Sequence, residues 1–282
     1  MDIIICTTAL SRPELHNKSI YSIIDFLKPF KNNIKWFINI DKTDNCKYNS
    51  IYTKKKLIDM LIDFNISINI SQKPSFFNAV KYLLNVIYNH INTSTMIFWF
   101  EDDWILNKQF DLKMIYKYHN NNTFISLVFN KLGSFPPFIM GSHIYKILYT
   151  KFNTDIDIKN KNPESFSRTI LRKYINKHKC IYYLICNDIY KLLKLNDKDL
   201  LKSITPDETY MKNITNYIIC NDIIINDILL RNTTIVDKYI YHNNKNIVFI
   251  RFEGCHIYKT NGKQDYNNTF FKDIGRQWKY DN

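Results

Sequence analysis

Three consecutive carboxylates, Glu101-Asp102-Asp103, close the apolar run Met96–Phe100 (MIFWF) and are followed by Trp104. Like charges this close raise one another's pKa unless a cation neutralises them. A hard divalent ion with oxygen ligands, bridging to a diphosphate, would relieve the repulsion. The plain alternative is a solvated acidic turn, and the flanking aromatics argue for a packed one. Asp41 stands just after a second apolar run, Ile34–Ile40. It would accept hydrogen bonds from a base or ribose, or merely open a turn with Lys42-Thr43-Asp44. Thr7, Thr8 and Arg12 follow the run Ile3–Cys6. Two hydroxyls and a guanidinium suit a nucleotide phosphate; they also suit a capped helix start with Ser11 as the cap. Lys73 and Asn78 stand where they would reach the same crevice.

These residues need a scaffold that gathers strand ends. Ile3–Cys6, Ile34–Ile40, Ile66–Ile70 and Met96–Phe100 read as short buried strands. Between them Leu15–Leu27, Lys54–Phe64 and Ser75–His90 carry apolar residues at helical spacing. The alternation predicts an α/β fold with a mostly parallel sheet and helices on both faces. In open sheets of this kind ligands bind off the carboxyl ends of the strands, where the acidic run and Asp41 fall.

After residue 104 the pattern loosens. Phe124–Phe129, Cys180–Cys186 and Ile247–Phe252 read as strands. Gly133–Gly141, with Pro136-Pro137, reads as a loop. Its Phe135 and Phe138, with Tyr145 beyond it, would form a sugar-stacking or lipid-contacting wall, or pack inward. Asn162-Pro163-Glu164 opens a helix towards His178, and Thr205-Pro206-Asp207-Glu208 opens another.

Composition excludes whole classes. The chain has 282 residues, 15% of them aromatic, with only 5 glycines and 7 prolines. Disordered and collagen-like chains look different. The net charge of +13 rests on 33 lysines against six arginines. A chain selected for phosphate contacts would carry more Arg, whose fork matches phosphate, so a nucleic-acid partner is disfavoured. The skew towards Ile, Asn and Lys is that of an A/T-rich genome. None of the six cysteines forms a C-x-x-C pair, which removes the usual zinc and redox motifs. No leader and no apolar run of about 18 residues is read, so a cytoplasmic, non-secreted protein is expected.

The order of these features resembles the GT-A fold glycosyltransferases: a strand, T-T-x-x-x-R-P (Thr7 to Pro13), a strand ending in Asp41, a helix carrying Asn78, then a strand ending in Glu-Asp-Asp-Trp. The resemblance implies a GT-A-like α/β fold and, together with the A/T-rich composition, suggests a large DNA virus as the source. Residues 1–110 would be its nucleotide-sugar-binding half and 111–282 the acceptor-binding half of the same unit. It implies transfer of a sugar from a nucleoside diphosphate sugar, UDP-sugar favoured, to a glycan or a protein- or lipid-linked hydroxyl, with Mn2+ or Mg2+ as cofactor. Glu101, Asp103 and His256 are its implied metal ligands, with Asp103 also counted among the catalytic groups. Thr7, Thr8, Arg12, Asp41, Lys73, Asn78, Asp102 and Arg276 are implied donor contacts. Glu164 is the implied catalytic base, with Asp207 or Glu208 as its rival. Asn162-Pro163-Glu164 is equally an ordinary helix start.

Neither G-x-G-x-x-G nor the P-loop pattern occurs, which disfavours a Rossmann dehydrogenase and a P-loop ATPase. Three rivals keep some of the same features: a nucleotidyltransferase, a glycosyltransferase acting on modified DNA bases, and a catalytically inactive sugar-binding module.

Overall fold

The computed structural model describes residues 2–42, 47–110, 112–128, 137–154, 162–177 and 270–274, together with the strands 180–186, 214–220, 223–226, 229–232, 247–252, 258–260 and 263–265. Strand β1 (Ile3–Leu10) is followed by α1 (Pro13–Leu27), β2 (Ile34–Asp41), α2 (Ser50–Met60), β3 (Asn65–Ile70), α3 (Phe76–Val86) and β4 (Met96–Glu101). A short β5 (Trp104–Leu106), α4 (Leu112–Tyr118), β6 (Thr123–Ser126), β7 (Phe138–Met140), α5 (Ser142–Thr154) and α6 (Pro163–Lys177) come next. The remaining strands are β8 (Cys180–Cys186), β9 (Ile214–Cys220), β10 (Ile223–Asn226), β11 (Leu229–Asn232), β12 (Ile247–Phe252), β13 (Tyr258–Thr260), β14 (Lys263–Asp265) and β15 (Phe271–Asp273).

The main sheet has the order β11-β10-β9-β8-β12-β6-β7-β4-β1-β2-β3. Strands β3, β2, β1 and β4 are parallel, as are β6, β12, β8 and β9. β7 runs antiparallel between β4 and β6, and β10 and β11 form an antiparallel edge. The α/β class, with a mostly parallel sheet flanked by helices, is therefore as the alternation predicts.

Successive strand residues face opposite ways, and both faces are apolar. Ile3, Ile5, Phe98 and Phe100 pack with Ile20, Ile23 and Leu27 of α1 and Leu57 of α2. Ile4, Cys6, Ile97 and Trp99 pack on the other side with Val80, Leu83 and Leu84 of α3, Leu148 of α5 and Phe166 of α6. Burial on both faces explains why these strands read as continuous apolar runs.

Three local readings need correction. β1 runs on to Leu10, so Thr7 and Thr8 lie within the strand rather than after it. Thr7 is buried, and its Oγ1 accepts the indole N–H of Trp36 at 2.8 Å. Ser11 does not cap α1: Arg12 holds that position, and the Ser11 hydroxyl is bonded to that of Ser50 at 2.7 Å. Phe138–Met140 is a strand, not loop. Phe138 is core, and so is Tyr145, whose hydroxyl donates to the Leu84 carbonyl at 2.7 Å, so neither forms an exposed wall. Phe135 lies outside the described residues.

Gly141 joins β7 to α5 under tight constraint. Its N–H donates to the Thr123 carbonyl at 2.8 Å, and a Cβ there would lie 2.1 Å from the Asn120 carbonyl oxygen.

Candidate functional site

The register puts the candidate residues along one edge. Thr8 lies beside Glu101 across β1–β4, and Leu10 beside Asp41 across β1–β2. All four are at the carboxyl ends of their strands. The end of β4 then separates the acids. Asp102, in the turn after the strand, meets Arg12 and His16 on the α1 side, whereas Glu101, still in the strand, follows Ile97 and Trp99 to the side of α3, α5 and α6.

On the α1 side Asp102 is fully occupied. Its carboxylate accepts from Arg12 Nη2 at 2.6 Å, Arg12 Nε at 3.1 Å, His16 Nε2 at 3.0 Å and the Leu10 N–H at 2.8 Å. Burial alone would favour its neutral form. The Arg12 charge and the bonds from His16 and Arg12 outweigh that and hold the carboxyl well below the usual range. Asp102 and Arg12, both assigned to the donor by the resemblance, are thus each other's partners. They fasten the β1–α1 loop to the end of β4.

Glu101 and Asp103 are less well partnered. Glu101 Oε1 and Asp103 Oδ1 are buried without a hydrogen-bond partner. Burial pushes the Glu101 carboxyl far up, and the charges of Asp103, Glu164, Asp102 and Asp273 push it further. Asp103 is raised to about 7, first by burial and then by Asp102; Arg12, 3.8 Å away, offsets part of this.

Two elements from the second half bring in the outer acids. Asn162 caps α6, its Oδ1 accepting the N–H groups of Glu164 at 2.9 Å and Ser165 at 3.2 Å. Phe166, one turn on, packs against Phe77 and Phe152, which fixes the start of the helix. Glu164 also pairs loosely with Arg168 at 3.9 Å. β15 pairs with β5, placing Asp273 beside Trp104, and the Ile274 N–H donates to the Asp103 carbonyl at 2.8 Å. Phe271 seats this strand against Phe98, Phe100 and Phe110.

Carboxylate oxygens are the ligands Mn2+ and Mg2+ prefer. Glu101 Oε1 and Asp103 Oδ1, buried and without hydrogen-bond partners, are oxygens of that kind. No cluster of three or more His, Cys, Asp or Glu side chains poised to hold a metal occurs among the described residues.

Asp41 is buried at the end of β2. Burial raises its carboxyl, and hydrogen bonds from Asn39, Ser71 and the Ser75 backbone partly offset this. Asn39 is in turn bonded to Asn69 at 2.7 Å, so a polar chain crosses the ends of β2 and β3. Lys73 and Asn78 are exposed on the neighbouring loop and helix, where Asn78 Nδ2 donates to the Lys73 carbonyl at 3.2 Å. Thr8 is buried, and its carbonyl accepts the Asp102 N–H at 3.2 Å. His256, Arg276, Asp207 and Glu208 lie outside the described residues.

No protein-family model matches the chain, and no curated protein does. Among solved structures it is similar to a mannosyltransferase, PcManGT from Pyrobaculum calidifontis, in complex with GDP-Man and Mn2+. That likeness has a TM-score of 0.38 at 8% identity and covers 51% of this chain and 45% of that one. The match therefore spans less than half the length of that mannosyltransferase chain.

Sequence reasoning gave no role to Asp273 or His16. Asp273 had a signal, a lone acid in the tail motif Asp273-Ile274-Gly275-Arg276. His16 had none, being one polar residue on the buried face of a helix.

Proposed function

We propose that the chain is a metal-dependent glycosyltransferase of GT-A type that takes a nucleoside diphosphate sugar and glycosylates a hydroxyl acceptor. The observation that carries this reading is the pair of buried, unpartnered carboxylate oxygens of Glu101 and Asp103 at the carboxyl edge of a parallel sheet, ringed by the charges of Asp273 and Glu164. The sequence order shared with that family supports it.

Glu101 and Asp103 would hold the divalent ion, which supplies stabilisation of the negative charge that develops on the departing diphosphate. Asp41 would accept from the base or ribose across the ends of β2 and β3. Glu164, held by the Asn162 cap, would take the acceptor's proton as its oxygen bonds to the anomeric carbon and the bond from that carbon to the diphosphate oxygen breaks. That role for Glu164 belongs to an inverting enzyme; in a retaining one it orients the acceptor. The Arg12–Asp102 pair would keep the β1–α1 loop in place.

The test is a thermal-shift panel of nucleoside diphosphate sugars, UDP-sugars first, with and without Mn2+, followed by turnover. A rise for one donor that requires the metal is expected, with donor hydrolysis or transfer that Asp103→Ala abolishes while the fold remains. Unchanged turnover in that variant would remove the metal role. Donor binding with no hydrolysis would instead mark a sugar-binding module.

A further inference from the structure

The solvent face of α2 carries what a surface helix normally lacks. Leu57 and Leu61 face the core, as does Thr53. Ile51, Lys55, Ile58 and Ile62 recur at helical spacing on the opposite side. Ile51 is 70% exposed, Ile58 43% and Ile62, just past the helix end, 81%. Single exposed apolar residues are ordinary, whereas three in line on one face are a surface feature.

The stripe is framed by cations and aromatics. Lys54, Lys55 and Lys56 lie along it and Lys47 precedes it, against Asp59 and Asp63. Tyr48 and Tyr52 stack at 5.5 Å, with Lys47 over one ring and Lys56 over the other. Tyr52 is itself 44% exposed. A tyrosine with an apolar body at the surface, as Tyr52 has, favours membrane interfaces, whereas the Tyr48 hydroxyl is hydrogen-bonded to Glu14. A helix with apolar residues centred between lysines is built to lie in the headgroup layer of an anionic bilayer.

We infer that α2 is a membrane-surface docking element: Ile51, Ile58 and Ile62 enter the acyl boundary while Lys47, Lys54, Lys55 and Lys56 meet anionic lipid headgroups. The lysines decide the occupant. The lysines outnumber Asp59 and Asp63 along this face, which favours an anionic surface over a second copy, and three isoleucines with one tyrosine fall short of the roughly 1,200 Å² that a specific protein interface buries. An anionic bilayer answers both the charge and the narrow apolar line. No helix among the described residues is long and apolar enough to cross a membrane, so contact through α2 is peripheral. The patch shares no residue with the carboxylate site and stands whether or not the chain transfers sugars.

The experiment is co-sedimentation of the full chain with vesicles of phosphatidylcholine alone and of phosphatidylcholine with phosphatidylglycerol. Binding is expected only with the anionic vesicles, weakening as salt is raised. Ile51→Ser, Ile58→Ser and Ile62→Ser combined should lower the partition coefficient by about tenfold or more, and so should Lys54→Gln, Lys55→Gln and Lys56→Gln combined. The three isoleucines, Lys55 and Lys56 are exposed and Lys54 half-buried, so unfolding temperatures should stay near that of the parent, and either set alone suffices if the other fails to fold. Equal binding to both vesicle types, no binding, or binding that survives the substitutions overturns the inference. So does a lipid-free dimer on size exclusion that the Ile substitutions dissolve.

Discussion

Arg12 and Asp102 meet through two hydrogen bonds, at 2.6 and 3.1 Å, where the β1–α1 loop passes the end of β4. Both side chains are almost wholly buried, and Asp102 also holds His16 and the Leu10 N–H. The pair is a clamp between the first strand's loop and the acidic turn.

Arg12→Ala should therefore act on stability before anything else. It leaves Asp102 buried without its main counter-charge, which costs about 3–5 kcal/mol. Arg12→Lys should recover only part, because an ammonium cannot repeat the two-pronged contact. Urea unfolding of both variants checks this; loss of donor binding at unchanged stability would show instead that Arg12 serves the donor.

Asp103 gives a pH signature. Its proton leaves at about 7 in the folded chain, against 3.8 for an ordinary aspartate. Between those values the folded state holds more protons than the unfolded one, so this group's contribution to stability falls as pH rises. Asp103→Asn removes that loss. The variant's melting temperature should exceed the parent's by several degrees at pH 8 without metal, and the gap should close towards pH 4. His119 works the other way: burial lowers it to about 4, so it favours folding more as pH rises towards 6.5. His119 is common to both proteins, so the difference between their melting curves isolates Asp103. A gap that widens towards acid would contradict the assignment.

The effect of Glu164→Gln separates a base from a cap. Asn162, not Glu164, receives the first N–H groups of α6, so melting should move by no more than about 2 °C. If Glu164 removes the acceptor's proton, kcat for transfer should drop by about 10²–10⁴-fold with little change in donor KM. A normal kcat would move the role to another residue.

Gly141→Ala tests the join between β7 and α5. The added methyl would meet the backbone of Asn120 and Asn121, at 2.1 and 2.5 Å, where no flexible side chain can give way. A loss of about 1–3 kcal/mol is expected from the forced backbone shift, read by chemical denaturation. Unaltered stability would mean that the 120–121 turn adapts freely.

How much of this was readable from residue types follows from local chemistry. Cys180–Cys186 and Ile247–Phe252 match β8 and β12 residue for residue: both runs are apolar save for Arg251, and polar residues flank each, Lys179 and Asn187 in one case and Asn246 and Glu253 in the other. The end of β1 was not legible: Thr7 and Thr8 look like loop, yet Trp36 satisfies Thr7 inside the core. β7 was hidden by Pro136, Pro137 and Gly141, and three residues are too few to show a period of two. At the site, the crowding of acids between aromatics was plain. Their division was not. Asp102 differs from its neighbours through His16, Arg12 and the Leu10 N–H, which lie 86, 90 and 92 residues away in sequence. The influence of Glu164 on Glu101 depends likewise on how Phe166 seats α6.

The pleat of β4 has a further effect. It carries Glu101, its last residue, to the same face as Ile97 and Trp99, and the turn that follows delivers Asp102 to Arg12 and His16. An insertion or deletion of one residue within Met96–Phe100 would reverse the facing of Glu101 and of the fully buried side chains together, so this stretch tolerates a change of length far less readily than the loops around it.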